Sequence, residues 1–206
     1  MSVSRPSTLS GEDRMRQRGA RLLVTARSLH TTRLTRRAVE RALPASWVRD
    51  SGFGGILLVD AEGDPLELAE AVVRGCAGRI GRVVAVLAEV ASDEESTRAA
   101  AVRVGAESIG AGQSFCFRLR KRDGHGFARD ARAFESEVGS AIWEALERRH
   151  ATPPRVDLED PDVMVSAEVL GEATMVGICR KSWRREIALQ RLATARGSRS
   201  LPQSTA

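Results

Sequence analysis

The chain has 206 residues, 42% of them hydrophobic and 29% charged, with a net charge of +5 and an isoelectric point near 10.0. That balance is ordinary for a globular protein. No apolar run approaches the roughly 18 residues of a membrane span, so the sequence excludes a helical membrane protein, and its basic surplus favours an anionic partner.

Residues 1–19 are rich in Arg and Ser but carry Glu12 and Asp13 and no apolar face, so they read as a basic disordered tail and not as a targeting peptide. "RLLVTAR" (21–27) is a predicted strand. A helix follows over 31–43, with Leu34, Ala38, Ala42 and Leu43 at helical spacing and Pro44 after it. "SWVRD" is strand-like, "SGFGG" a turn and "ILLVD" (56–60) a clear strand. Asp64-Pro65 opens the next helix, since Asp caps and Pro suits the first helical position. "RIGRVVAVLAEV" (79–90) supplies the last strand of a β-α-β-β-α-β order, the ferredoxin-like pattern.

A second unit begins at about residue 91. Ser92 with Glu95 three residues on is a predicted capping box, leading a helix to about Val104. A strand is expected at about 114–121. The long helix 131–149 should bury Phe134, Val138, Ala141, Ile142 and Ala145. Val163, Val165, Ala167 and Val169 alternate along one strand, and 173–180 reads as its hairpin partner. The stretch after Lys181 can begin a helix, and 184–206 is expected to be a basic C-terminal tail. The fold class is thus α/β (α+β), with a ferredoxin-like domain over 20–90 and a second domain over 91–183.

Only Lys121 and Lys181 are lysines among the 32 cations. Arginine grips phosphate with two parallel hydrogen bonds, although a GC-rich genome also encodes Arg in place of Lys. Codon bias explains the count but not the clustering in "FRLRKRDGHGF" (117–127). Side chains alternate in a strand, so Phe115, Phe117 and Leu119 share one face while Arg118, Arg120 and Arg122 share the other. Such a row demands neutralisation, by carboxylates such as Glu168 on a neighbouring strand or by a polyanion.

Local motifs for catalysis are lacking. "GAESIG" (105–110) has Ala111-Gly112 where a phosphate loop needs Lys and Ser/Thr, and it precedes a strand instead of leaving one. His30, His125 and His150 are dispersed, and no C-x-x-C joins Cys76, Cys116 and Cys179, which read as buried thiols. His125 lies in a loop where it can touch a phosphate or simply be solvated. "DLEDPD" (157–162) reads as a turn in preference to a magnesium site. No cofactor, no metal and no catalytic residue are expected.

The segments "SFCFRLRKRDGHGF", "FESEVGSAIWEAL" and "RVDLEDPDVMVSAEVLGEATMVGI" together resemble a THUMP domain. That family has a strand ending in Arg and Lys, a helix with a Val-Gly step (here Val138-Gly139), and a Val-Asp-Leu, acidic-Pro-Asp segment (here Val156-Asp157-Leu158 and Asp160-Pro161-Asp162) before a hairpin. THUMP domains commonly follow a ferredoxin-like domain. The resemblance implies an RNA-binding module that holds the acceptor end and single-stranded 3′ tail of tRNA. Such modules usually serve a fused catalytic unit, but the chain has no S-G-G-x-D-S stretch, no D/N-P-P-Y and no zinc-deaminase signature. It therefore resembles the stand-alone kind that presents tRNA to a separate acetyltransferase making 4-acetylcytidine, and it is expected not to be an enzyme. Thiolation or methylation, or a ribosome-associated module, are the alternatives. A cytoplasmic location is expected, since no secretory signal is seen.

Arg118, Arg120, Lys121 and Arg122 are the first candidates for RNA contacts, with His125 and Arg129 beyond them. Arg180, Lys181, Arg184 and Arg185 form a second basic group around Trp183, which is either a base-stacking platform or a core plug. Arg33, Arg36, Arg37 and Arg41 can extend the track, though a solvated helix face is the simpler reading.

Overall fold

The computed structural model describes residues 19–122, 127, 130–152 and 154–197. In chain order these form β1 (Leu22–Ala26), α1 (Thr32–Ala42), β2 (Trp47–Asp50), β3 (Ile56–Asp60), α2 (Pro65–Cys76), β4 (Ile80–Ala91) and α3 (Glu94–Ser108). There follow β5 (Ser114–Lys121), α4 (Ala131–Arg149), β6 (Arg155–Val156), β7 (Val163–Leu170), β8 (Ala173–Arg180) and α5 (Lys181–Gly197). Among the described residues no helix is long and apolar enough to cross a membrane.

All the strands join one sheet in the order β2-β3-β1-β4-β8-β7-β5-β6. The first four strands give the β4-β1-β3-β2 arrangement expected of a ferredoxin-like unit. They pair antiparallel throughout, as do β4 with β8 and β8 with β7, whereas β5 runs parallel to both β7 and β6. The junction between the two halves is the pairing of β4 with β8, Ala85 opposite Ile178 through Ala91 opposite Ala173, with a register shift between Val86 and Ala88. Gly177 sits at this junction, and a Cβ built there would lie 2.0 Å from the Ala85 carbonyl oxygen.

The helices pack on one face. A single apolar cluster runs beneath the sheet from Leu22 and Val24, through Ala100 and Val104 of α3, to Phe134, Val138, Ile142 and Leu146 of α4 and Ile187 of α5. The long helix buries an i, i+4 stripe ending on Leu146, where the spacing pointed to Ala145. Leu34, placed in the core from its spacing, is 46% exposed. Thr35 is buried instead, its hydroxyl donating to the Arg79 carbonyl oxygen at 2.9 Å. The opposite, second face carries a smaller apolar cluster of Leu23, Ile56, Leu58, Val84, Val86 and Met175, to which no described helical residue contributes.

Caps follow side-chain chemistry. Asp64 accepts from the backbone N–H groups of Leu66 and Glu67 with Pro65 in the first turn, as expected. The cap of α3 is Asp93, not Ser92: Asp93 accepts from the Ser96 N–H at 2.7 Å. Ser92 is buried and paired through its hydroxyl with Thr174 at 3.0 Å, which removes it from the helix end. Residues 184–197, assigned to a tail from the sequence, continue α5, and beyond Ile187 the side chains from Ala188 to Ala193 are exposed.

Gly177→Ala should cost about 3 kcal/mol, the upper end for an overpacked site, because the clash is with backbone that cannot swing away. Urea denaturation measures it; a loss well under about 1 kcal/mol would contradict the tight strand approach.

Candidate nucleic-acid interface

The strand β5 positions the basic row, and its neighbours divide that row in three. Arg120 lies directly opposite Glu168 of β7 and Arg118 opposite Ser166. Glu168 is fully buried on the second face. Its Oε1 accepts from the Nη2 of Arg82, a β4 residue, and lies 3.5 Å from the Arg120 Nε; its Oε2 is 3.7 Å from the Arg122 Nε. Arg82 also donates to the Ser166 hydroxyl at 3.2 Å. Arg82 is 13% exposed, Arg120 45% and Arg122 36%. Desolvation, followed by repulsion from Arg82, lowers the pKa of Arg120.

Arg118 does not stay with that cluster, although strand alternation places it on the same face. It turns over the sheet edge, donating to the Leu158 carbonyl oxygen at 2.7 Å and pairing with Glu135 of α4 at 3.5 Å. Glu135 also accepts from the Leu119 N–H at 2.8 Å. It thereby satisfies a backbone donor that the two-residue strand β6 cannot reach. Lys121 lies 5.9 Å from the Phe127 ring. His125 and Arg129 lie outside the described residues.

The second basic group is largely paired off. Asp160 receives Lys181 at 2.8 Å, Arg185 at 3.1 Å and Arg184 at 3.3 Å. Arg180 pairs with Glu70 of α2 at 3.0 Å. Trp183 is 3% exposed, with the Arg180 guanidinium 5.5 Å from its ring centre, so it plugs the core and offers no free face to a base. The "DLEDPD" segment is a turn: Asp157 accepts from the N–H groups of Glu159 and Asp160, and Asp162 from Ser114. Among the described residues no group of three or more His, Cys, Asp or Glu could hold a metal. Of the α1 arginines, Arg36 is taken by Asp50 at 2.6 Å, while Arg33, Arg37 and Arg41 are exposed. The three cysteines are free and buried.

Beside the row, a groove of about 920 Å³ runs between α4 and the outer edge of β5. Arg118, Arg132, Trp143, Val156 and Leu158 line it over Gly139, where a Cβ would meet nothing within 4 Å. Sequence reasoning missed Arg82 and Glu135. Arg82 is remote in sequence from the basic run and carries no local signal of its role.

The family model of the THUMP domain matches residues 91–178. Those residues are a THUMP domain. Its β5 and β7 carry the charged row just described, and Arg82 enters from β4, before it. No curated protein matches the chain by sequence. Among solved structures the chain is similar to a 4-thiouridine synthetase–RNA complex with bound ATP, at 17% identity and a TM-score of 0.56, over 78% of this chain and 41% of that one. TrmN from Thermus thermophilus is similar at 22% identity and a TM-score of 0.52, over 84% and 54%. SMU.472, described as a candidate methyltransferase in complex with SAH, is similar at 13% identity and a TM-score of 0.55, over 78% and 41%. The chain thus spans about half or less of their lengths, and at these identities the likeness is one of fold. It corrects one expectation. Absence of catalytic motifs led to the reading that the chain is not an enzyme, yet this THUMP-containing fold recurs in a synthetase and a methyltransferase-like protein, so that reading is withdrawn.

Glu168→Ala should destabilise the fold by about 3–5 kcal/mol, because it leaves Arg82 largely buried without its counter-ion. Chemical denaturation reads this directly, and a loss under about 1 kcal/mol would mean that water already solvates the cluster. The Asp160 carboxyl is pushed from 3.8 down to about 2, chiefly by the hydrogen bond from Lys181. A depressed carboxyl contributes stability above its unfolded value and loses it as pH falls through the folded one. The stability gap between wild type and Asp160→Asn should therefore narrow between about pH 4 and pH 2; a gap constant across that range would contradict the pairing.

Proposed function

We propose that this chain holds the acceptor end of tRNA, with its single-stranded 3′ tail, for a tRNA-modifying reaction. The observation that carries the reading is the THUMP domain at residues 91–178, whose β5 ends in cations that outnumber the acids beside them. Phosphate contacts from such cations position an RNA and supply salt-sensitive affinity. The groove beside β5, with Arg118 and Trp143 in its walls, is the natural place for an unpaired base next to that backbone track.

The modifying activity is proposed to be a separate acetyltransferase that forms 4-acetylcytidine. A specific observation favours a second reading. The similar solved structures include a 4-thiouridine synthetase bound to RNA, so thiolation or methylation is the alternative. Nucleoside analysis of tRNA from cells lacking the chain separates the two: loss of acetylcytidine supports the first, loss of a thiolated or methylated nucleoside the second.

The binding itself is tested with one full-length tRNA and the same tRNA lacking its 3′ tail, each titrated across salt. The full-length tRNA should bind several-fold more tightly, and log affinity should fall linearly with log salt. Equal affinity for both RNAs, and for an unrelated RNA of the same length, would overturn the acceptor-end reading.

A further inference from the structure

Glu168 carries one negative charge, and three guanidiniums converge on it. Arg82 alone is enough to neutralise it: that arginine is the most buried of the three and also bonds Ser166. Arg120 and Arg122 are then in surplus, and both approach Glu168 through Nε, at 3.5 and 3.7 Å, longer than a normal hydrogen bond. No hydrogen bond joins the Nη groups of Arg120 or Arg122 to another described residue. Holding two extra cations side by side, a third to a half exposed, is unfavourable without an anion between them. Thr25 faces Arg82 directly across the β1–β4 pairing, and its hydroxyl is buried with no hydrogen-bond partner.

We propose that Arg120 and Arg122, set in place by Glu168 and Arg82, bind a terminal phosphate of the RNA on the second face of the sheet. The surplus of two positive charges matches a phosphate monoester, which carries about −1.5 to −2 at pH 7, better than the single charge of an internal diester. Two outward guanidiniums can each offer it a pair of parallel N–H donors. Arg82 is a positioning residue from outside the THUMP domain, so the preceding unit takes part in the site. The assignment rests on the tRNA reading for the source of the phosphate, but not for the phosphate chemistry.

Binding is measured for 5′-phosphorylated tRNA and the same tRNA with a 5′-hydroxyl. The proteins are the wild-type chain, Arg120→Gln, Arg122→Gln and, as a surface control, Arg103→Gln. Removing the phosphate should weaken the wild type roughly tenfold, the scale of one charge-assisted contact. The first two variants should bind more weakly and ignore the phosphate, and the control should behave as wild type. Thermal melts check folding, which should persist because Glu168 keeps Arg82. If the wild type ignores the 5′ phosphate but both variants still lose affinity and salt slope, the assignment to a terminal group is overturned in favour of an internal diester. If neither change matters while tRNA binds, the cluster is purely structural and the proposal fails. Calorimetry with inorganic phosphate at fixed ionic strength needs no RNA. Binding heat present in the wild type and lost in the Arg120→Gln/Arg122→Gln pair sustains the site even if tRNA does not bind; its absence there overturns the site.

Discussion

The pairing of β4 with β8 is the constraint on which everything else hangs. It converts two four-stranded halves into one sheet, and it does so only because Gly177 lets the two backbones approach. One apolar cluster then spans both halves on the helical face. The same pairing carries Arg82 across the junction to Glu168, so the packing that stabilises the fold also assembles a charged cluster around a buried carboxylate.

The chain uses one electrostatic device twice: a single carboxylate that gathers three cations. At Asp160 the acid is half exposed, and its pairs with Lys181, Arg184 and Arg185 organise a turn at little energetic consequence. At Glu168 the acid is fully buried, so desolvation makes the arrangement costly to disturb. The same ratio of charges therefore has different meanings. On the loop it consumes the cations of the hairpin end. On the sheet it fixes one arginine and leaves two presenting their outer edges to solvent.

The THUMP domain and its structural neighbours set the architecture without setting the chemistry performed on it. A fold hosts many activities, and at 13–22% identity the likeness extends to architecture. The particulars on which a binding site can be built lie in this chain's own residues: the arginine from the preceding unit, the carboxylate at the strand edge that redirects Arg118, and the groove over Gly139.

Local chemistry determined much of this protein from the sequence alone. Alternation in 114–121 and 163–170 defined β5 and β7 and told which residues faced the helices, and the Asp64-Pro65 pair marked a helix start. Even Glu168 as a partner for the arginine row was legible, because period-two alternation on adjacent strands brings such groups to one face. Tertiary structure decided the rest. Ser92 lost its capping role to Asp93 because Thr174, 82 residues away, engages its hydroxyl. Trp183 became a core residue because α5 folds back on the sheet, a burial no local pattern encodes. The basic row was split because Glu135 stands at the sheet edge while Arg82 arrives from β4. Those contacts join residues far apart in sequence, and a side chain's partners at that range are set by how the strands are ordered, which periodicity does not specify.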